Sequence, residues 1–159
     1  MRILEPTDLA FFETAPARIT GRAQLSAPPE RVFASLADPS EWLKWFPKVK
    51  TIGWTKGTGG LGSEREVRLG GGLGVYRERF IAWEPARRFS FTMYETSSLF
   101  VTHLAEDFRL SSEGTGTQVD WVMAGKLTVL GHIAWPVMRA LMSSFFRRGT
   151  RKLETVLVG

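Results

Sequence analysis

His132-Ile-Ala-Trp-Pro136-Val-Met-Arg-Ala-Leu141-Met-Ser-Ser-Phe-Phe146-Arg-Arg-Gly-Thr-Arg151-Lys-Leu-Glu-Thr-Val156-Leu157 is the stretch on which the fold turns. Ala134, Val137, Met138, Leu141, Met142, Phe145, Phe146, Leu153, Val156 and Leu157 recur at spacings of three and four. At about 100° per residue most of them fall within an arc of roughly 140°, the signature of an amphipathic helix. Arg139, Arg147, Arg148 and Arg151 project on the other side. Proline is tolerated only near a helix start, so Pro136 predicts a beginning between His132 and Trp135. A helix this apolar on one face cannot stand alone in water, and something broad and equally apolar must cover it.

The preceding residues supply that cover. Ala17 to Leu25 alternates with period two and places Ile19, Gly21, Ala23 and Leu25 on one face of a first strand. Pro28-Pro29 opens a helix to about Ala37 with Val32, Phe33 and Leu36 on its apolar side. Asp38-Pro39-Ser40-Glu41 has the form of a capping box, with an acid at the N-cap, proline at N1 and glutamate at N3. It starts a short helix carrying Trp42, Leu43, Trp45 and Phe46, which Pro47 ends. Strands are then expected at Val49–Thr55, Ser63–Leu69, Leu73–Trp83, Arg88–Thr96, Leu99–Leu110 and Gln118–Leu127, separated by glycine-rich or polar turns. Strands followed by a terminal helix make an α+β fold, an antiparallel sheet of about six to seven strands with the helix on one face. No repeat, linker or composition shift divides the chain, so residues 1–159 read as one domain with an N-terminal extension over 1–16.

Composition narrows the function classes. A chain of 159 residues with 43% hydrophobic and 23% charged residues is an ordinary globular domain, large enough for a core and some concavity. The aromatic share of 12%, with six Trp and eleven Phe, favours large flat side chains of the kind that line apolar pockets. There is no cysteine, which excludes disulfides, thiolate nucleophiles and Cys-ligated metals. His103 and His132 belong to no ligand-spaced cluster, so no metal is expected, and no motif implies a cofactor. Met1 to Pro16 carries Glu5, Asp8 and Glu13 and lacks the apolar run of a secretory signal. No stretch reaches the ~20 apolar residues of a membrane span. The expected location is the cytoplasm, and abundant Arg beside absent Asn associates the chain with a GC-rich bacterial genome.

Gly57-x-Gly59-x-x-Gly62 has the spacing of a dinucleotide fingerprint, but the segment after it alternates Glu64, Glu66, Arg68 like a strand. That motif needs a helix N-terminus there, so a hairpin is the reading. Gly70-Gly-Gly72-Leu73-Gly74 is another turn, placed at a cavity mouth. There is no G-x-S-x-G elbow, P-loop, H-E-x-x-H or EF-hand loop.

The run Ser26-Ala-Pro-Pro-Glu30-Arg-Val32-Phe33-Ala-Ser-Leu36-Ala-Asp38-Pro39 resembles the opening of the polyketide cyclase/dehydrase group of the START-like (SRPBCC) superfamily. Trp42-x-x-Trp45-Phe46-Pro47, Gly62-Ser63, Trp83-Glu84-Pro85-x-Arg87-Arg88-Phe89, and Leu110 before a Gly-Thr turn follow in the same order. The resemblance implies a helix-grip fold, with a hydrophobic cavity between a curved sheet and the C-terminal helix. It implies binding or transport of lipid-like molecules, or polyketide cyclisation, and carries over no catalytic motif.

Period two in Leu99–Leu110 turns Leu104, Glu106, Phe108 and Leu110 toward the helix, and in Ser63–Leu69 it turns Arg65, Val67 and Leu69 the same way. A Glu and an Arg in an apolar concavity can pair, orient a polar ligand end or exchange a proton; a register slip of one residue would put both in solvent. Glu106, Arg65, Tyr76 and His103 are the acid–base candidates, although His103 counts onto the opposite face. Trp42, Trp45, Phe46, Tyr76, Phe80, Phe91, Met93, Trp121, Met123, Met138, Met142 and Phe145 are the candidate ligand contacts, each with core packing as the alternative. Leu73–Trp83 is apolar on both alternations, and its inward face is not assigned by the pattern.

Net charge is +5, concentrated after Gly131, where Arg139, Arg147, Arg148, Arg151 and Lys152 face Glu154 alone. With no RNA-recognition or helix-turn-helix context, nucleic acid is not an expected partner. A hydrophobic small molecule is, held by a monomer or homodimer as carrier or sequestering protein. A cyclase or dehydratase is the alternative, and peripheral membrane or protein contact through the basic helix face is the third reading.

Overall fold

A computed structural model describes residues 1–159. The chain runs β1 (Arg2–Ile3), α1 (Phe11–Thr14), β2 (Ala17–Leu25), α2 (Pro29–Ala37), α3 (Pro39–Trp45), β3 (Val49–Lys56), β4 (Glu64–Leu69), β5 (Gly74–Glu84), β6 (Arg88–Thr96), β7 (Val101–Glu113), β8 (Gly116–Leu127), α4 (Val129–Val158). One antiparallel sheet contains every strand in the order β2-β8-β7-β6-β5-β4-β3, with β1 paired to β6, and α4 lies across its concave face in the helix-grip arrangement. The 57–62 segment is the β3–β4 turn, with no helix after it.

The N-terminal residues are stitched into the sheet. β6 pairs with β7 only as far as Thr92↔Ala105, and beyond that point β1 takes the vacated edge at Glu95 and Thr96. Leu4 is then buried in the main core, while Phe12 covers Ala105 and Ala124 on the convex side. Burial on both sides explains the run of buried residues through the middle of β7. There Asp107, fully buried, accepts hydrogen bonds from Ser90, Arg88 and Arg109.

Two local expectations need correction. Asp38 caps α3 by accepting from the Ser40 N–H at 2.9 Å, but Glu41 does not reach back to complete a capping box. Its carboxylate instead meets Lys44 at 2.9 Å and the Ser35 hydroxyl at 3.2 Å, tying α3 to α2. α4 begins at Val129, ahead of the His132–Trp135 window, and Pro136 sits inside it. Thr128 caps it, accepting from Gly131 N–H at 3.0 Å and donating to the Leu99 carbonyl at 2.7 Å. Pro136 removes only the bond to the His132 carbonyl, and both residues are on the exposed side where water serves that acceptor.

The C-terminal half of α4 packs tightly on β2 and β8. Phe146 stacks on Trp121 with ring centroids 4.7 Å apart and planes 6° from parallel. Gly21 makes room for it, since a Cβ there would lie 2.5 Å from the Phe146 ring. The N-terminal half is anchored at one point: a Cβ on Gly131 would fall 2.0 Å from the Phe100 carbonyl oxygen. Gly131→Ala is therefore expected to destabilise by about 1–3 kcal/mol, measured by chemical denaturation, although alanine is the better helix former by about 1 kcal/mol.

Candidate functional site

Beneath the N-terminal half of α4 lies a cavity of about 370 Å³, lined by 25 residues of which 18 are hydrophobic. That size is near the lower end of the ~300–1,000 Å³ usual for small-molecule sites, and far above the ~30 Å³ share of one water. β4 to β8 form its floor, α4 its roof, and the 97–100 turn and the Gly72-Leu73-Gly74 turn its rim. The end toward α3 is closed by Trp42 and Phe46.

One charged group interrupts the apolar floor. Arg65 is fully buried, and its Nε donates to Glu78 Oε2 at 2.5 Å. Of the alternatives open to Arg65 and Glu106, direct pairing does not occur, because Glu78 on the adjacent strand is the direct cross-strand partner of Arg65. Nη1 and Nη2 of Arg65 have no hydrogen-bond acceptor. The guanidinium carbon lies 4.6 Å from the Trp42 ring centre, 4.9 Å from Phe91, 5.1 Å from Phe80 and 5.5 Å from Phe89. Aromatic faces compensate a desolvated cation in part, by ~2 kcal/mol or more for a good contact, but leave its N–H donors unused.

Glu106 faces the cavity and accepts from Trp121 Nε1 at 3.1 Å. Burial first, and the Glu78 charge second, push its carboxyl up to about 7, against the smaller opposing pulls of Trp121 and Arg65. Burial also pushes Glu78 upward, with Arg65 pulling it back. Tyr76 donates to the Leu73 carbonyl at 2.8 Å, and burial raises its phenol.

The family described as "Polyketide cyclase / dehydrase and lipid transport" matches residues 16–158. The chain belongs to this family. An uncharacterized protein of Mycobacterium tuberculosis (strain H37Rv) is 37% identical over 151 residues, spanning 94% of this chain and 90% of that relative. Among solved structures, the protein TTHA0849 from Thermus thermophilus superposes with a TM-score of 0.75 at 19% identity, covering 89% of this chain and 97% of that one. A START superfamily protein from Mycobacterium smegmatis gives 0.72 at 14%, covering 88% and 96%. The Zhui aromatase/cyclase from a Streptomyces species gives 0.67 at 16%, covering 90% and 92%. At these identities the structural likenesses speak to the fold alone.

Within this polyketide cyclase/dehydrase-type fold, the sequence-predicted residues divide cleanly. Arg65, Tyr76 and Glu106 line the cavity, as do Trp42, Phe46, Phe91, Met93, Met123, Met138 and Met142. His103 does not: it stacks on Phe11, 5.8 Å away, outside the cavity. Trp45, Phe80, Trp121 and Phe145 are buried but support the wall from behind. Trp45 packs between Trp42 and Phe46, Phe80 against Trp83 and Phe89, Trp121 under Phe146, and Phe145 beside Phe46. Glu78 is the main residue that sequence reasoning missed. Its signal is present, since it shares the period-two face of Tyr76 and Phe80, but β5 is apolar on both faces and bulged at Arg77/Glu78 and Phe80/Ala82.

Proposed function

We propose that the protein binds a largely apolar small molecule carrying a hydrogen-bond acceptor at its buried end, and acts as its carrier or sequestering protein. The observation behind this reading is the pairing of an apolar cavity of about 370 Å³ with a fully buried arginine whose Nη donors are unpartnered. A small displacement of the cavity-lining Trp42 or Phe91 ring, which cover the guanidinium, would let an acceptor on the ligand satisfy those donors, and methionines on β6, β8 and α4 adapt the wall to its shape. Arg65 is already matched by Glu78, so a neutral acceptor suits the site better than a carboxylate, which would add an uncompensated charge beside Glu106. A single domain over 1–159, with 1–16 as a sheet-stitched extension, is the unit we assign this role.

Native mass spectrometry of the purified protein identifies any passenger, and the neutral fluorophore N-phenylnaphthylamine supplies a defined probe. Saturable one-to-one binding is expected, weakened about tenfold or more by Met142→Trp, which fills the cavity from α4. Equal binding by the filled variant would remove the cavity from consideration.

A second reading, a cyclase or dehydratase, is favoured by Glu106 alone. A cavity carboxyl held at about 7 can both give and take a proton near neutrality. Release of water from a linear β-polyketone, lost in Glu106→Gln with N-phenylnaphthylamine binding intact, would decide for this reading over the carrier.

A further inference from the structure

The outward face of α4 is divided along its length, and neither the cavity nor the core accounts for it. Val129, Ile133 and Val137 are 80%, 74% and 72% exposed, and Leu130 and Leu99 are 45% and 57% exposed. At about 100° per residue, Val129, Ile133 and Val137 fall within an arc of about 80°, roughly opposite the buried Gly131, Gly149 and Leu153. Continued toward the C-terminus, the same arc carries Ala140 and Ser144 and then Arg147 and Arg151, with Arg148 beside them, all three arginines exposed. The one acid of the helix, Glu154, is already engaged, accepting from the Ser26 N–H at 2.9 Å. The outward face thus reads apolar for its first turns and cationic over Arg147–Arg151, with one exposed apolar side chain, Val158, beyond them and no free carboxylate among its side chains.

The apolar end is continuous with the cavity mouth. Leu99 and Leu130 belong to both, lining the cavity while remaining exposed to solvent. Isolated exposed hydrophobics are ordinary, but an aligned row beside a ligand entrance and a cation cluster on one helix face is the pattern of a helix that lies in a lipid interface. Apolar side chains enter the boundary between headgroups and acyl chains, and arginines meet lipid phosphates. No helix of this chain is long and apolar enough to cross a membrane, so the contact is one of adsorption.

We propose that the outward face of α4 docks on an anionic lipid bilayer, placing the cavity mouth against it. The occupant is chosen by charge: the helix offers cations without free acids, and a bilayer surface rich in anionic headgroups is the complement to that array together with an apolar row. The docking face is separate from the cavity, since none of Val129, Ile133, Val137, Arg147 and Arg151 lines the cavity.

The test is co-sedimentation of the full chain with vesicles of neutral phosphatidylcholine, or of phosphatidylcholine containing phosphatidylserine. Binding to the anionic vesicles is expected at low salt, at least about tenfold stronger than to neutral ones, and reduced strongly by about 0.5 M salt. Ile133→Asp/Val137→Asp and, separately, Arg147→Glu/Arg151→Glu are each expected to lower recovery about tenfold while keeping the wild-type unfolding transition, since all four side chains are exposed. Met142→Trp, which blocks the cavity, is expected to bind vesicles as wild type does. Equal recovery on the two vesicle types, or loss with only one of the two double variants, would overturn the proposal. So would light scattering that shows a dimer dissolved by Ile133→Asp/Val137→Asp without vesicle binding, which would make the face a contact between copies.

Discussion

Glu78→Leu is expected to lower the unfolding free energy by about 3–5 kcal/mol, the largest effect of any single side chain in the cavity floor. The substitution removes the only anion bonded to Arg65, which is fully buried and already lacks partners for Nη1 and Nη2. What is lost is chiefly compensation: the guanidinium stays in an aromatic cage with its charge unmatched. The paired change Arg65→Met/Glu78→Leu separates this from simple packing. With both charges gone the desolvation cost disappears, and stability is expected within about 1–2 kcal/mol of wild type, or above it. Urea denaturation of the two single and one double variant closes the cycle. If Glu78→Leu alone were neutral, the pair would be solvated rather than buried. A stable double variant that no longer binds the cavity probe would mean that the pair serves recognition and not the fold.

The second large effect is on pH dependence. Glu106 holds its proton up to about pH 7, whereas an unconstrained glutamate releases it near 4.5. Between those values the folded chain binds a proton that the unfolded chain does not, so this group's contribution is complete below about 4.5 and declines as pH rises through about 7. The total loss is on the order of 3 kcal/mol. Glu78, raised by the same burial, acts in the same direction. Glu64 and Asp120, held low by arginine partners, act oppositely, so the informative quantity is the difference between wild type and Glu106→Gln. Glutamine keeps an acceptor for Trp121 Nε1 and carries no titrating proton. Melting curves at pH 5 and pH 8 are expected to coincide more closely for Glu106→Gln than for wild type, with the variant the more stable at pH 8. A wild type whose stability rises from pH 5 to pH 8 in parallel with the variant would show that Glu106 titrates normally. The groups facing this carboxyl are Glu78 from β5, Arg65 from β4 and Trp121 from β8.

Much of this architecture is legible in the sequence because one periodicity rules each element. β2 alternates strictly, with Ile19 and Leu25 buried and Arg18, Thr20, Arg22 and Gln24 exposed, so counting from any one of them assigns the rest. The same count turns Arg65 and Glu106 inward. Counting fails where two faces are buried at once. β5 carries apolar residues on both alternations and two bulges, so its inward face, and with it Glu78, cannot be read from spacing. Central β7 is covered on its convex side by Phe12, a contact no periodicity announces. The four aromatics behind the cavity wall illustrate a different limit. Trp45, Phe80, Trp121 and Phe145 face the same interior as the lining residues, and only three-dimensional packing decides which rings meet the void. The start of α4 escapes the pattern for a chemical reason: Pro136 reads as a barrier, while the Thr128 cap, which tolerates a proline two turns further in, leaves little trace in the spacing.

The strand order also governs when the molecule can close during synthesis. β2 leaves the ribosome long before its only sheet neighbour, β8, with Ala17 opposite Gly125 and Leu25 opposite Thr117. At roughly 5–20 residues per second, β2 waits on the order of 5–20 s for that partner, and α4 follows later still. Throughout that interval β2 is an unpaired edge with an apolar side, the kind of segment that recruits another chain. Arg18, Arg22 and Gln24, which line its solvent side in the finished fold, are the charged and polar gatekeepers of that interval. The N-terminal half of α4, which roofs the cavity, follows β8 in the chain, so the nascent protein completes its binding site only after the whole sheet has been made.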